Sequence, residues 1–274
     1  MHNKILYEIQ GVSFSYLGRF KALNDISIRI DMGETVALLG ANGSGKSTLL
    51  MALAGLLFPD TGTVRFSGKE LSEISLDTPD LQKFFRSEVG IVFQNSDVQL
   101  FNSNVRDELL FGLLQLGRAD AEIESRLKKY ISLMDIGHLI DRHPQNLSVG
   151  EKKRVAIAAV LAMEPRVLLL DEPTAGLDPR TSRHLIDAIR AFSKEGRTVI
   201  TATQDIHIVS EIAERVVVLG EDKSVVRDGP AEEVLKDIPF LEAHNLVHTH
   251  AHRHDGKTHI HPHEHPSHDH THNA

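Results

Sequence analysis

The sequence predicts an α/β fold with a largely parallel sheet across residues 1–241, followed by a tail of another kind over residues 242–274. Three observations predict it. Short aliphatic stretches alternate with helical patterns, as in stacked βα units. The later stretches, VLLLD, TVITA and RVVVL, are dense in Val, Leu and Ile, as strands buried on both faces are. One such stretch, TVALL, runs straight into a glycine-rich loop and a helix.

Taken in order, ILYEI, SIRI, TVALL, TVRFS, VGIVF, VLLLD, TVITA and RVVVL read as strands. KSTLLMALAG, RTSRHLIDAIRAFSKEG and HIVSEIAERV read as helices between them. From Asn104 to Met163 the strand signal vanishes, and NVRDELLFGLLQL, DAEIESRLKKYISLM and EKKRVAIAAVLAM are all helical in pattern. A helical subdomain over about residues 100–163 is therefore expected inside the α/β core. After Glu242 apolar periodicity fades and histidine takes over, so residues 242–274 are expected to be a flexible, disordered tail.

Composition narrows the function. A formal net charge of −8 argues against a nucleic-acid binder. No apolar run approaches the roughly 18 residues of a membrane span. The start, MHNKILYEIQ, lacks the apolar run of a signal peptide, so a cytoplasmic location is expected. There is no cysteine, which leaves imidazole and carboxylate as metal ligands.

GANGSGKS fits the phosphate-loop pattern in its required place, after a strand and opening a helix. The expected nucleotide contacts are Gly40, Ala41, Asn42, Gly43, Ser44, Gly45, Lys46, Ser47 and Thr48. Glycines let the backbone N–H groups turn inward as an anion nest, and the helix N-terminus adds partial positive charge. Lys46 brings a full charge to the β- and γ-phosphates, and the Ser47 hydroxyl is a candidate Mg²⁺ ligand. VLLLDEP ends an apolar strand in two carboxylates, at the edge where open α/β sheets bind ligands. Asp171 is placed to hold Mg²⁺ and Glu172 to orient or deprotonate an attacking water.

With these motifs the chain resembles the ATP-binding subunit of an ABC transporter, over nearly all of residues 4–240. LSVGEKKRVAIA, Leu147–Ala158, resembles the family's signature; AGLDP, residues 175–179, resembles its D-loop. The resemblance implies a RecA-like phosphate-loop core with an N-terminal antiparallel β subdomain. It implies that Gln94 is the Q-loop glutamine and a Mg²⁺ contact, that Tyr16 stacks on adenine, and that ATP and Mg²⁺ are bound. It further implies a head-to-tail pair with a second ATP-binding subunit, identical or not. Ser148 and Gly150 would then cap the partner's γ-phosphate. Integral-membrane subunits would complete the transporter, with this chain peripheral on the cytoplasmic face.

Two positions depart from the family pattern. Val149 stands where the signature has a glycine, and a β-branched residue tolerates positive φ poorly. Gln204 stands where a catalytic switch histidine is usual; it can donate a hydrogen bond but carries no charge. His207 is expected to fall in the next helix. FQNSDVQLF with the EKKRVAIA signature resembles the narrower energy-coupling-factor group, whose ATPases serve importers of vitamins and of cobalt or nickel. Leu100 and Phe101 are the candidate contacts with a membrane subunit. His138, His143 and His184 read as surface or cap residues.

The tail carries His248, His250, His252, His254, His259, His261, His263, His265, His268, His270 and His272. Alternate residues of an extended chain share one side, about 6.6 Å apart. Neutral imidazoles at that spacing suit Ni²⁺ or Co²⁺, with Zn²⁺ and Cu²⁺ also able to bind. The expectation is a nickel or cobalt importer ATPase with a metal-binding tail. A vitamin importer, a soluble ABC ATPase outside transport and a metal-storage protein are the alternatives.

Overall fold

The computed structural model describes the backbone of residues 4–254 and 257–263, and side chains over residues 4–247. The chain opens with two long strands, β1 (Ile5–Tyr16) and β2 (Phe20–Asp31), joined by a tight turn. In β2 buried and open positions alternate, the signature of a sheet with one packed face. With β4 (Thr61–Phe66) and β5 (Lys69–Glu70) they form a four-stranded antiparallel sheet, order β2-β1-β4-β5. The expected antiparallel subdomain is this sheet.

The second sheet carries the site. It contains β3 (Thr35–Leu39), β6 (Val89–Val92), β7 (Val167–Asp171), β8 (Thr198–Thr203), β9 (Arg215–Leu219) and β10 (Val225–Pro230). Its order is β10-β9-β3-β8-β7-β6, parallel except for the edge strand β10. Every residue of β3 and β8 is buried, which explains why these strands read as unbroken aliphatic runs. Helix α1 (Lys46–Leu53) follows β3, and α7 (Pro179–Lys194) and α8 (Ile206–Ile212) flank β8. Asp178 starts α7 by accepting from the N–H groups of Arg180 and Thr181, both at 3.0 Å, with Pro179 in the first turn.

Between β4 and β6 lie two short helices that the sequence analysis did not anticipate, α2 (Glu73–Leu76) and α3 (Pro79–Glu88). The expected helical insertion comprises α4 (Val105–Gln115), α5 (Asp120–Leu133) and α6 (Val149–Ala162). It shares one core with a face of the parallel sheet, through Leu109, Leu127, Ile157 and Leu170 among others. Helices α9 (Ala231–Lys236) and α10 (Ile238–Ala243) close the domain. Leu246 and Val247 are buried against Leu39 and Val218, so the packed chain continues past the boundary expected at residue 241. Beyond it, β11 (His248–His254) and β12 (Lys257–His263) are extended and pair with each other antiparallel. The structure differs here from the expected flexible, disordered tail: over these residues backbone pairing in a hairpin takes the place of an irregular chain. His265, His268, His270 and His272 lie outside the described residues.

Candidate active site

Neighbouring parallel strands bring the site together. Leu39 at the end of β3 pairs with Thr203 of β8, and Asp171 at the end of β7 pairs with Ala202. The phosphate loop, the two carboxylates and Gln204 therefore emerge along one edge of the sheet, where open α/β sheets bind ligands. A cavity of about 770 Å³ opens there. Its walls include Tyr16, Asn42, Gly43, Gly45, Lys46, Ser47, Thr48, Gln94, Glu172 and Gln204.

The loop is built for an anion. Gly45 has φ of 103°, and a β-carbon there would collide with the Ala22 carbonyl, so only glycine fits. Gly45 caps α1 without a side-chain hydrogen bond, leaving the helix N-terminus turned toward the cavity loop. Lys46 Nζ donates to the carbonyls of Gly40 at 2.7 Å and Ala41 at 3.1 Å. Burial lowers the Lys46 pKa, while Glu172 and Asp171 act to hold its proton on. The buried Ser44 hydroxyl has no hydrogen-bond partner among the described residues.

The acidic side is equally defined. Ser47 Oγ donates to Asp171 Oδ1 at 2.9 Å, so a hydroxyl and a carboxylate already converge on one point. Two such hard oxygens beside an anion nest fit Mg²⁺. Glu172 accepts from Thr203 Oγ1 at 2.9 Å and from the Gln204 N–H at 3.1 Å. Its φ of 42° lies in the left-handed region, at a cost of about 1–3 kcal/mol for a non-glycine residue. Burial raises the pKa of Glu172, opposed by the Thr203 hydrogen bond and Lys46. Burial also raises Asp171, opposed by Ser47 and by the charges of Lys46 and Lys153.

The signature lies elsewhere. Ser148 caps α6 in a reciprocal box with Glu151, and neither Ser148 nor Gly150 lines the cavity. Val149 is the first helical residue, 64% exposed, and is not among the positive-φ residues. The backbone strain that a valine threatened there does not arise.

The ABC transporter family profile matches residues 23–175 of this chain. The chain belongs to the ABC transporter family. It is an ATP-hydrolysing transporter subunit. The nickel import ATP-binding protein NikO of Rhodobacter capsulatus is 45% identical over 88% of this ABC ATPase and 95% of its own length. The solved structure of cbiO1 from Clostridium perfringens, part of the complex cbiONQ, is 36% identical with a TM-score of 0.74. That match covers 89% of this chain and 95% of the other. The ATP-binding cassette MJ0796, solved as a dimer in a post-hydrolysis state with ADP and Pi, is 28% identical with a TM-score of 0.75. It covers 82% of this chain and 99% of its own.

Other expected residues fall as follows. Tyr16 is 41% exposed and its hydroxyl lies 3.2 Å from Thr48 Oγ1. His207 is in α8 and outside the cavity wall. His143 caps a short turn through Nδ1, His138 is exposed, and the His184 ring bonds the Leu133 carbonyl at 2.7 Å. Phe101 is 66% exposed and stacks edge-on against Phe111, whereas Leu100 is half-buried on the helical core. Among the described residues no group of three His, Asp or Glu could hold a metal ion, and no helix is long and apolar enough to cross a membrane.

Sequence reasoning missed several groups. Thr203 holds Glu172, and its only signal is its place at the end of β8. Asn245 and Leu246 line the cavity from the far end of the chain, which no local motif marks. Lys153 reads as one more solvated charge on a helix, yet it is buried.

Proposed function

We propose that this chain drives an energy-coupling-factor importer of a divalent transition metal, nickel or cobalt, from the cytoplasmic face of the membrane. The observation that carries the reading is a built phosphate-loop site whose wall lacks the chain's own signature. Each chain then supplies half of two composite sites, with Ser148 and Gly150 of one capping the γ-phosphate held by the other. The dimeric relative with ADP and Pi supports this arrangement, and the nickel import relative supports the cargo.

In this reading Lys46 and the loop N–H groups hold the β- and γ-phosphates. Tyr16 offers its ring to the adenine. Ser47, Asp171 and Gln94 would hold Mg²⁺, which would neutralise charge on the phosphate oxygens. Glu172, made more basic by burial and fixed by Thr203 and the Gln204 N–H, takes a proton from water as its oxygen bonds to the γ-phosphorus. The bond from the γ-phosphorus to the bridging oxygen breaks, and the electron pair leaves with ADP. Phe101 and Phe111 form an exposed aromatic pair that a membrane subunit would cover.

The tail binds several divalent ions reversibly and buffers metal beside the transporter; the transport path lies in other subunits. Removing residues after Val247 tests this, because Leu246 and Val247 belong to the core and must stay. Calorimetry on the truncated chain should show loss of most Ni²⁺ sites, while uptake of Ni²⁺ at ample metal by the assembled transporter persists. Full metal stoichiometry without the tail, or uptake abolished outright, contradicts the buffering role. Uptake that ignores Ni²⁺ and Co²⁺ altogether returns the cargo to the vitamin class.

A further inference from the structure

Three consecutive cations of the signature helix reach two other segments, the end of α5 and the Gln94 segment. Arg154 Nη1 donates to the carbonyls of Met134 at 3.1 Å and Asp135 at 2.9 Å, at the end of α5. Lys152 Nζ donates to Asp97 Oδ1 at 2.6 Å, just beyond Gln94. Lys153 is only 2% exposed, and its ammonium donates to Phe93 O at 3.1 Å and Gln94 O at 2.6 Å. A buried ammonium is costly unless its acceptors are well placed. Here the acceptors are two successive carbonyls where β6 leaves the sheet, one of them belonging to the glutamine in the cavity wall. Burial lowers the Lys153 pKa to about 8, and the nearby charges of Asp171 and Glu172 act against that fall.

We infer that Lys153 is a positioning residue that makes the Gln94 segment and the signature helix move as one body, so that nucleotide held in a chain's own site adjusts the signature it offers its partner. This rests on the head-to-tail dimer proposed above. Ser148 caps the same helix five residues before Lys153, with one continuous helical stretch between them. A change at Gln94 therefore reaches Ser148 through two hydrogen bonds and little more than one turn of helix. Lys152 and Asp97 repeat the tie at the surface, with Asp97 largely exposed.

The test uses the full chain and three variants, Lys153→Met, Lys153→Arg and Asp97→Asn. ATP hydrolysis is measured against ATP concentration and chain concentration, and ADP affinity by calorimetry. Lys153→Met should hold ADP within about twofold of wild type and lower kcat by about tenfold or more, the scale of a lost charged hydrogen bond. Its Hill coefficient for ATP should fall toward one. Lys153→Arg, which keeps a buried cation, should recover part of both. Asp97→Asn should lower kcat and the Hill coefficient slightly, by about twofold, as a surface ion pair would. Wild-type cooperativity in Lys153→Met overturns the inference. So does loss of ADP affinity in step with kcat and without rescue by arginine, which is the mark of a merely structural lysine. If Lys153→Met does not fold, an unchanged Asp97→Asn overturns it. A wild-type rate per chain that is independent of chain concentration, with a Hill coefficient of one, removes the dimer itself. A cooperative wild type beside an unchanged Lys153→Met removes only the role of Lys153.

Discussion

The phosphate loop and the signature are both helix N-termini beside glycine, yet they are finished to different degrees. At the loop, α1 begins without a side-chain cap, Lys46 turns onto its own loop carbonyls, and Ser47 already touches Asp171. At the signature, α6 begins with a closed capping box, in which Ser148 and Glu151 satisfy each other at the surface. The first end waits for an anion inside a walled cavity. The second satisfies itself and faces outward with an exposed valine. A self-satisfied helix end does not need a ligand to be stable, so the chain folds with an open loop-side cavity and a closed signature cap. In the proposed head-to-tail pair, catalysis would take the second from another chain.

The sharpest way to break this contrast is at the finished end. Glu172→Gln keeps the shape of the side chain and removes the proton acceptor. It should lower hydrolysis by about a hundredfold or more, the scale of general-base catalysis, while ATP binding is kept. Steady-state hydrolysis near the wild-type rate would remove Glu172 from that role. Gln204→His is the next in size. It restores a chargeable ring beside Glu172, and turnover in the assembled transporter should rise by up to about tenfold, as a charged hydrogen bond replaces a neutral one. A rate unchanged or lower at saturating ATP would show that the Gln204 N–H, which already bonds Glu172, is what the site uses.

The smallest effect belongs to the signature cap. Hydrogen bonds from Ser148, first from its backbone, hold the Glu151 pKa below the ordinary value of 4.5. A depressed carboxylate stabilises the fold above its unfolded pKa, and that contribution is lost as pH falls through the folded value. Glu151→Gln should therefore lower the melting temperature slightly at neutral pH. The gap to wild type should close only in acid, below 4.5. A gap that is the same at both ends of the range would mean that the charge of Glu151 contributes nothing to the cap.

The same contrast explains what the sequence made legible. The phosphate loop and the acid pair are local: each motif sits on consecutive residues, and the strand-loop-helix context fixes its geometry. The parallel part of the six-stranded sheet was legible because β3, β7 and β8 are buried and read as aliphatic runs. What escaped depends on residues far apart in the chain. Helix α3 is short and carries its apolar residues Leu81, Phe84 and Phe85 within little more than one turn, and it fully buries only Phe85. Strand β10, VVRDGP, is an edge strand that alternates between half-buried and exposed positions and holds Gly229 and Pro230, so it reads as a turn. Lys153 escaped because burial of a lysine is set by the two carbonyls it meets, about sixty residues earlier in the chain. The concern over Val149 came from treating the signature as a loop. In the fold it is the first residue of a helix, where no positive φ is required.

The central claim is that active sites are shared between chains, and complementation between two dead chains tests it most directly. Lys46→Ala disables the phosphate loop and leaves the signature; Ser148→Arg disables the signature and leaves the phosphate loop. Each alone should hydrolyse ATP at a small fraction of the wild-type rate. Mixed in equal amounts, they form some dimers in which the good loop of one chain meets the good signature of the other. Hydrolysis should then return, to a substantial fraction of the wild-type rate. If the mixture is no more active than the two chains measured separately, the sites are not shared, and the account of the signature as a spare cap for a partner is wrong.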